Sequence, residues 1–372
     1  MCIKKKILKK TLTNKKNRKA LQETRARAVF LGEEYEGRNN YELIEEVVPY
    51  LSEWPFGVPL KVKQFPNLKM IVQTSQEYRS GFTCLRDLAW RNPFSTPQLS
   101  KASSLLKPSQ VSSIFYLQPS QVGAGAEAEA EAVSFSHSAL VNNAFYFSSA
   151  IGLDANDRVL STLPLWTSQG FVVSLLSPFS SQAYAVIPSA LFDEDISLKK
   201  LYEEQISVLS ATPSQWEAFL SHPNLHKMRK ESVKKVVVAS ERRERASPLL
   251  LEKISNSFNV PVHLSFSVDR FAGVSFLFSP NKNWKSSEAS LPAGHLLSNM
   301  EAQIVDSQGN PVALGKQGTL LLKGHNLFSG IYRGELEPLL PPPLQNGFYN
   351  TNLQAKLSEN GLFHIFCIFW KS

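Results

Sequence analysis

The sequence has few of the residues that build disulfide frameworks or metal sites. It holds three cysteines, Cys2, Cys84 and Cys367, which are odd in number, far apart and without a CxxC pair. Its seven histidines are scattered, with no paired spacing. Disulfide scaffolds and zinc sites need ligands in even or closely spaced sets. The sequence therefore argues against both classes and offers no metal ligands.

The chain also lacks a hydrophobic run long enough to cross a membrane. The strongest apolar run near its end, Leu362 to Trp370, is interrupted by His364. It is far shorter than the roughly 20 residues that a transmembrane helix needs. A length of 372 residues and a hydrophobic fraction of 43% suffice for one large or two ordinary cores and exclude wholesale disorder.

Acidic residues are almost missing from the start of the chain. Residues 1–27 hold eleven Lys and Arg against one acid, Glu23, so residues 28–372 have a net charge of −2 although the whole chain has +8. We expect residues 1–22 to be a basic, disordered leader. Their lack of acid also suits a mitochondrial transit peptide, a nuclear signal or contact with an anionic membrane. Because the basicity is confined to this leader, it gives no strong nucleic-acid signal.

After the leader, short apolar runs alternate with helical patterns, which predicts an α/β protein. Strands that are separated by helices pair in parallel, with each helix crossing from one strand to the next. Layered parallel sheets with crossover helices are therefore expected over residues 23–290. The predicted strands are 28–32, 68–74, 113–117, 207–211, 235–240 and 260–264. The predicted helices are 41–51, 198–205, 213–220, 247–258 and one starting at Ser136.

Two stretches depart from this pattern. Residues 123–132 read GAGAEAEAEA, which we interpret as an exposed low-complexity loop or a frayed helix start. From about Leu291, strands at 301–306 and 319–323 follow each other without helices. Residues 291–372 are therefore predicted to form a small β-barrel-like subdomain.

Several motifs occur together in the order typical of one enzyme family. Asp157 to Trp166, followed by Gly170, is similar to a DRVLSTLPLFHxxG motif. The other matching stretches are Thr212-Pro213, Val260-Pro261-Val262, residues 304–318 with Gly309, Gly315 and Gly318, and Gly324 with Gly330-Ile331-Tyr332. Over residues 20–365 the chain resembles the AMP-forming acyl-CoA synthetases, and within them the medium-chain fatty-acid–CoA ligases.

The resemblance implies adenylation chemistry. In this family a carboxylate attacks ATP to give an acyl-adenylate and pyrophosphate, and CoA then displaces AMP, with Mg²⁺ assisting. It implies that Phe266, Asp269 and Thr351 stand at nucleotide-site positions. It also implies that Trp166, Thr167 and Gly170 line the acyl pocket. From the residues alone, Phe266 also fits an aromatic that ends a buried strand, and Trp166 and Thr167 fit core packing.

The residues that this chemistry requires are nevertheless altered. The hydroxyl-rich phosphate loop is gone, and its lysine aligns with Glu131 or an alanine. In the YGxTE motif, Arg270 takes the place of the metal-facing acid and reverses its charge. Three further positions change: Arg242-Arg243-Glu244 replace the small adenine-wall residues, Leu353 replaces the ribose-binding acid, and Thr167 replaces the gate histidine. The chain also stops after the barrel pattern, so the resemblance implies a truncated form without the family's lid domain.

These changes lead to two main hypotheses. The first is a degenerate family member without adenylation activity or cofactor, acting as an interaction protein or binding an acyl or other apolar small molecule. The alternative is a residual fatty-acid–CoA ligase that uses ATP, Mg²⁺ and CoA with rearranged loops. A third hypothesis is binding of the leader to an anionic membrane or nucleic acid.

Overall fold

The structure is a computed structural model that describes residues 14–35, 37–91, 96–117, 131–225, 230–280, 291–334 and 337–366. The chain divides into two compact units. The first contains residues 1–114 and 331–340, and the second contains residues 115–330 and 341–372. The domain limits expected from the sequence stay a prediction.

The first unit is built on a small parallel sheet. Its helices are α1 (Asn14–Thr24), α2 (Asn40–Val47), α3 (Leu85–Arg91) and α4 (Thr96–Ser104), with a 3₁₀ turn at Leu51–Glu53. Its strands are β1 (Ala28–Leu31), β2 (Glu34–Tyr35), β3 (Arg38–Asn39), β4 (Met70–Gln73) and β5 (Thr83–Cys84). Strands β1, β4 and β5 pair in parallel in that order. The strands and the helix predicted here are confirmed, although α2 ends at Val47 before Pro49, which is unsuited to a helix interior.

The prediction of a disordered leader needs a correction. Residues 1–13 lie outside the described residues, but residues 14–22 belong to helix α1. Ala20 is buried, and Leu21 packs against the core cluster that contains Tyr41, Ile44 and Ile71. A single apolar contact stripe is enough to hold a basic helix on a core, because the charged side chains can point to water.

The second unit alternates strands and helices and then becomes all β. Its helices are α5 (His137–Ile151), α6 (Ser168–Phe171), α7 (Ser177–Ser180), α8 (Glu194–Glu203), α9 (Pro213–Ser221) and α10 (Pro248–Phe258). A π-helix, Val172–Leu176, joins α6 to α7. The boundary between the units, after Ile114, falls within strand β6 (Val111–Leu117). The other strands before residue 290 are β7 (Glu131–Ser136), β8 (Arg158–Ser161), β9 (Tyr184–Val186), β10 (Val208–Ala211), β11 (Lys235–Glu241), β12 (Val262–Ser267) and β13 (Phe276–Phe278). Those after it are β14 (His295–Leu296), β15 (Met300–Val305), β16 (Gln317–Gly324), β17 (Gly330–Ile331), β18 (Leu344–Gln345), β19 (Phe348–Leu357) and β20 (Phe363–Phe366).

The main sheet of this unit, over the described residues, has the strand order β14-β13-β12-β11-β10-β8-β9. Strands β9, β8, β10, β11 and β12 are parallel. Strand β13 pairs antiparallel with β12, and β14 pairs antiparallel with β13. Helices α8, α9 and α10 contribute to the hydrophobic core on one side of the sheet, through residues such as Leu198, Trp216 and Ile254. Helix α5 and the π-helix contribute to the other core, through Phe147 and Val173. The layered α/β prediction is confirmed.

The chain then forms a curled antiparallel sheet of order β15-β16-β19-β18, with β20 paired to β19. This agrees with the expected barrel-like region. The expectation for residues 123–132 is corrected at one end. Residues 118–130 lie outside the described residues, but Glu131 and Ala132 begin strand β7. The following sequence, Val133 to Ser136, is almost completely buried, and the ladder extends back to Glu131.

Candidate functional site

The candidate site lies where strand β12 ends. Phe266 is the penultimate residue of β12, and Asp269 and Arg270 follow it. The backbone at Arg270 is left-handed, with φ at 69°. Such a conformation is uncommon for a residue with a long side chain. It turns the chain sharply just after the strand, at the carboxyl edge where ligands bind in open α/β sheets.

Arg270 forms an internal ion pair with Glu131. Its guanidinium donates one hydrogen bond to the Glu131 carboxylate and another to the Tyr349 hydroxyl. The side chains of Arg270 and Glu131 are 27% and 29% exposed. The Arg270 guanidinium carbon lies 5.7 Å from the centre of the Phe328 ring, within cation–π distance. Strands β7 and β19 and the turn after β12 therefore meet at one half-buried charge cluster.

Burial and neighbouring groups together shift the pKa of Arg270 and the pKa of Tyr349. Burial opposes the charge of Arg270, but Tyr349 and Glu131 outweigh it, so the pKa of the guanidinium is raised. Burial also disfavours the charged form of Tyr349 and so raises the pKa of its phenol, whereas Arg270 lowers it. Arg270 is thus held as a cation and Tyr349 as a neutral phenol. The Tyr349 hydroxyl can accept the hydrogen bond from Arg270 and still donate its own proton.

Phe266 is covered rather than open. Its side chain is 1% exposed, and the guanidinium carbon of Arg245 lies 5.6 Å from the ring centre. Arg245 is anchored there because its Nη1 donates to the carbonyl oxygen of Ile365 at 2.6 Å. The Phe276 ring lies on the neighbouring strand, 6.5 Å away. Phe266 therefore has the position of a buried aromatic near the end of a strand, which is one of the two interpretations that the sequence allowed.

Glu244 occupies the amino end of helix α9. Its Oε1 accepts from the backbone nitrogen of Ser214 at 2.8 Å and from the Ser214 hydroxyl at 2.7 Å. The exposed N–H groups of a helix start attract anions. Residues 241–244 form a tight turn, since the backbone nitrogens of Glu241 and Glu244 donate to each other's carbonyl oxygens. This turn is not the start of a helix, because α10 begins at Pro248 after the Ser247 cap.

Of the other nucleotide positions, Asp269 directly precedes Arg270 in the turn after β12, and Thr351 lies on β19. Asp269 is exposed. The Thr351 hydroxyl donates to the carbonyl oxygen of Leu320 at 2.7 Å and accepts from the backbone nitrogen of Leu353 at 3.2 Å. Leu353 itself is buried. Thr351 therefore supports the curled sheet with its only hydroxyl.

The expected acyl-pocket residues lie at the start of α6. The Thr167 hydroxyl caps this helix by accepting from the backbone nitrogen of Gly170 at 3.0 Å, and it donates to the carbonyl oxygen of Pro164 at 3.0 Å. A Cβ on Gly170 would lie 2.1 Å from that same oxygen, so only glycine fits. Trp166 is partly buried in the preceding turn. Thr167 and Gly170 thus have clear packing roles.

Sequence reasoning considered Glu131 and Arg270 one at a time and missed their partnership. The two positions are 139 residues apart, and nothing local connects them. A signal was present, because each position reverses the charge expected from the resemblance, and in opposite directions. Arg245 and Tyr349 were also missed. Among the residues that the structure describes, no group of His, Cys, Asp and Glu is arranged to hold a metal ion. None of the described helices is long and apolar enough to cross a membrane.

Comparisons with known proteins agree with the fold. A family model described as AMP-binding enzyme matches residues 8–332. The mitochondrial medium-chain acyl-CoA ligase ACSF2 of Mus musculus is 21% identical over 93% of this chain and 55% of its own length. The acyl-CoA ligase sidI of Aspergillus fumigatus is 23% identical over 57% of this chain and 35% of its own length.

Solved structures show the same architecture. The anthranilate CoA ligase AuaEII, in complex with anthranoyl-AMP, superimposes with a TM-score of 0.75 at 16% identity, covering 96% of this chain and 62% of its own. ATP-bound MatB from Rhodopseudomonas palustris gives a TM-score of 0.67 at 15% identity, with the same coverage. The chain spans about half the length of the curated relatives that it matches.

Proposed function

We propose that this chain, which belongs to the AMP-binding enzyme family, does not form acyl-adenylates and acts as a ligand-binding or interaction scaffold built on the family's fold. The observation that carries the proposal is the ion pair between Glu131 and Arg270, completed by Tyr349. A shared fold does not by itself carry a shared activity, so the site residues decide.

The electrostatics of this pair oppose the family's chemistry. A triphosphate needs cations and N–H groups around it, and Mg²⁺ needs carboxylate oxygens. At the positions that the resemblance aligns with those groups, the chain has Glu131 and Arg270 with the signs reversed. Each satisfies the other, so a nucleotide with Mg²⁺ would separate a half-buried pair and place like charges together.

Two neighbouring contacts support the same reading. Arg245 lies over Phe266, where an adenine ring would otherwise stack. Glu244 fills the anion-attracting start of helix α9. Charged side chains of the chain itself thus occupy both an aromatic face and a helix terminus near β11 and β12.

For the ligand we propose an acyl or other apolar small molecule, with Trp166, Thr167 and Gly170 near it. The support is the family's use of carboxylate substrates and the name of the medium-chain acyl-CoA ligase relatives. A mitochondrial location is proposed on the basic residues 1–27 and on the mitochondrial ACSF2 relatives of Danio rerio and Mus musculus.

Calorimetric titration of the full chain tests the lost adenylation. We expect no binding of ATP–Mg²⁺ or of a non-hydrolysable acyl-adenylate tighter than about 1 mM, and no pyrophosphate release with a medium-chain fatty acid. An active acyl-CoA ligase, assayed alongside, is the control. Fatty-acid-dependent pyrophosphate release would overturn the proposal and establish the residual ligase, with ATP, Mg²⁺ and CoA as its cosubstrates.

A second titration tests the scaffold. A medium-chain fatty acid without ATP is expected to bind and to quench tryptophan fluorescence, and Trp166→Phe is expected to remove that signal. The matched control is Trp216→Phe, on the buried side of α9. Absence of any binding would leave a protein partner as the scaffold's ligand class and would contradict the small-molecule proposal.

A further inference from the structure

The loop before strand β18 has a restricted backbone. It contains three consecutive prolines, Pro341, Pro342 and Pro343, which we call the proline tract. Each proline ring fixes φ at about −65°, and each residue that precedes a proline is confined to extended ψ values. None of the described peptide bonds is cis. These dihedral angles are those of the left-handed polyproline II helix, so the tract adopts that form.

The exposure of the side chains around the tract repeats every three residues. Leu339 and Pro342 are half-buried, and each of them is followed by two exposed residues. A polyproline II helix has three residues per turn, so residues three apart lie along one edge. One edge therefore faces the protein and the other two face solvent. We call the exposed residues of those two edges the proline ridge: Leu340, Pro341, Pro343 and Leu344.

Backbone pairing holds the chain on each side of the tract. Before it, within the first unit, the backbone nitrogen of Leu340 donates to the carbonyl oxygen of Ile331 at 3.1 Å, and the reverse bond is 2.9 Å. After it, within the second unit, Leu344 and Gln345 form β18, which pairs with β19. The tract is therefore a short segment that is already ordered. A partner that bound it would pay little entropy to fix its backbone.

The backbone chemistry of the tract limits the kind of partner that fits. A proline has no N–H, so the tract cannot pair with an added β-strand. A general apolar surface could cover the two leucines, but it would bury backbone carbonyl oxygens without supplying donors. A groove lined by Trp and Tyr side chains meets both needs, because it packs rings against prolines and has N–H and O–H groups that donate to carbonyl oxygens.

We propose that the proline ridge docks a protein module whose aromatic-lined groove binds polyproline II segments. Such grooves recognise a preformed helix of this type at low entropic cost. The ridge presents proline rings and leucine side chains on two neighbouring edges, while the third edge stays against the protein. The inference rests on the scaffold part of the proposed function and names a class of partner for it.

Calorimetric titration of the full chain with a panel of recombinant SH3 and WW domains tests the docking. We expect at least one domain to bind with a dissociation constant below about 100 μM. Pro341→Ala with Pro343→Ala removes two rings from the ridge, and we expect the dissociation constant to rise by at least about tenfold. The matched control is Pro66→Ala with Pro311→Ala, which removes two exposed prolines outside the tract and should leave binding unchanged.

A second measurement uses the wild-type chain and so does not depend on the folding of the double variant. A domain whose groove tryptophan is replaced by alanine is expected not to bind, and a synthetic peptide of residues 337–346 is expected to compete with the full chain for the intact domain. Binding that survives the loss of the groove tryptophan, or that Pro341→Ala with Pro343→Ala leaves unchanged, would overturn the proposal.

The remaining outcomes separate this inference from the proposed function. If no domain binds more tightly than about 1 mM, the proposal is wrong and the tract only ends the pairing of a sheet edge. Self-association of the wild type that the double variant abolishes would assign the ridge to a second copy of the chain and would also overturn it. The titration contains neither ATP nor fatty acid, so pyrophosphate release in the separate assay would overturn the lost adenylation alone.

Discussion

At the scale of single residues, the candidate site is decided by charge. Arg270, in the turn after β12, donates hydrogen bonds to the Glu131 carboxylate on β7 and to the Tyr349 hydroxyl on β19. Removing one member of such a pair leaves the other partly desolvated without compensation, which costs more than the pair contributes when intact. The pair is therefore a test of both the local structure and the proposed function.

Reversing one charge should expose this dependence. Arg270→Glu places two carboxylates together, and we expect the free energy of unfolding to fall by about 2 kcal/mol, between the values for exposed and fully buried pairs. Glu131→Lys combined with Arg270→Glu restores opposite charges and should recover at least half of the loss. Urea unfolding measures both.

The control for this cycle is Lys323→Glu, which breaks an exposed pair with Glu301 whose atoms are 2.8 Å apart. We expect it to change the free energy of unfolding by less than about 0.5 kcal/mol. If Arg270→Glu costs no more than this control, the cluster does not have the structural weight assigned to it.

The second prediction at this scale concerns His263, whose protonation opposes folding. Burial on β12, reinforced by Lys235, lowers its pKa to about 4, from an ordinary value of about 6.5. The unfolded chain therefore binds more protons than the folded one between these values. Stability is full above pH 6.5 and falls as the pH drops towards 4, by about 3 kcal/mol from this group.

Urea midpoints measured at pH 7 and at pH 4.5 check the effect. His263→Gln, which can keep a contact with the Ser279 hydroxyl 2.8 Å from the ring, should reduce the loss between the two pH values. His295→Gln, at an exposed histidine, is the control and should lose as much stability as the wild type. Equal pH dependence in His263→Gln and the wild type would refute the assignment.

At the scale of elements, one side chain links helix α5 to the segment after β12. Asn143 is fully buried. Its Nδ2 donates to the carbonyl oxygen of Val274 at 2.8 Å, and its Oδ1 accepts from the backbone nitrogen of Val274 at 2.9 Å. Asn143→Ala leaves both backbone groups buried without this partner, so we expect a loss of about 3 kcal/mol. Asn142→Ala, one residue away and exposed, should cost less than about 0.5 kcal/mol.

Thermal and urea unfolding distinguish the two variants. Equal stability of Asn143→Ala and Asn142→Ala would contradict the bridging role. Gly273 gives a further check, because its φ is 65° and a Cβ there would lie 2.1 Å from the Asn143 Oδ1. Gly273→Ala should therefore destabilise the protein through the same contact.

Many elements could be predicted because their signals are local. Helix α5 begins after Ser136, whose hydroxyl accepts from the backbone nitrogen of Ala139, and it ends at Ile151, where Gly152 caps it with φ at 64°. The strand predicted at 260–264 begins and ends before the observed strand β12, Val262–Ser267. The reason is that His263, Ser265 and Ser267 interrupt the apolar pattern of β12. The π-helix was not predicted, since its wider hydrogen-bond spacing has no local sequence code.

At the scale of the whole molecule, positive charge is concentrated at one end. Residues 1–13 contain five lysines and no acid. If they direct the chain to mitochondria, replacing Lys4, Lys5, Lys6, Lys9 and Lys10 with glutamine should disperse a fluorescent fusion of the full chain. The five substitutions leave helix α1, which begins at Asn14, unchanged.

The matched control replaces five exposed lysines elsewhere in the first unit, Lys61, Lys63, Lys69, Lys101 and Lys107. It removes the same charge, so it should leave the location unchanged if the position of the lysines matters. Loss of mitochondrial signal in both variants would show that net charge alone is responsible, and absence of the signal in the wild type would exclude the proposed location.

The sequence by itself determined the alternation of strands and helices, the caps that bound them, the change to an antiparallel sheet after residue 291, and the family. These follow from propensity, periodicity and short-range hydrogen bonds, which act between residues close in the chain. Tertiary structure alone decided that Glu131 faces Arg270 and that Arg245 covers Phe266. Such contacts join residues many positions apart, and only the folded topology sets which charges and surfaces meet.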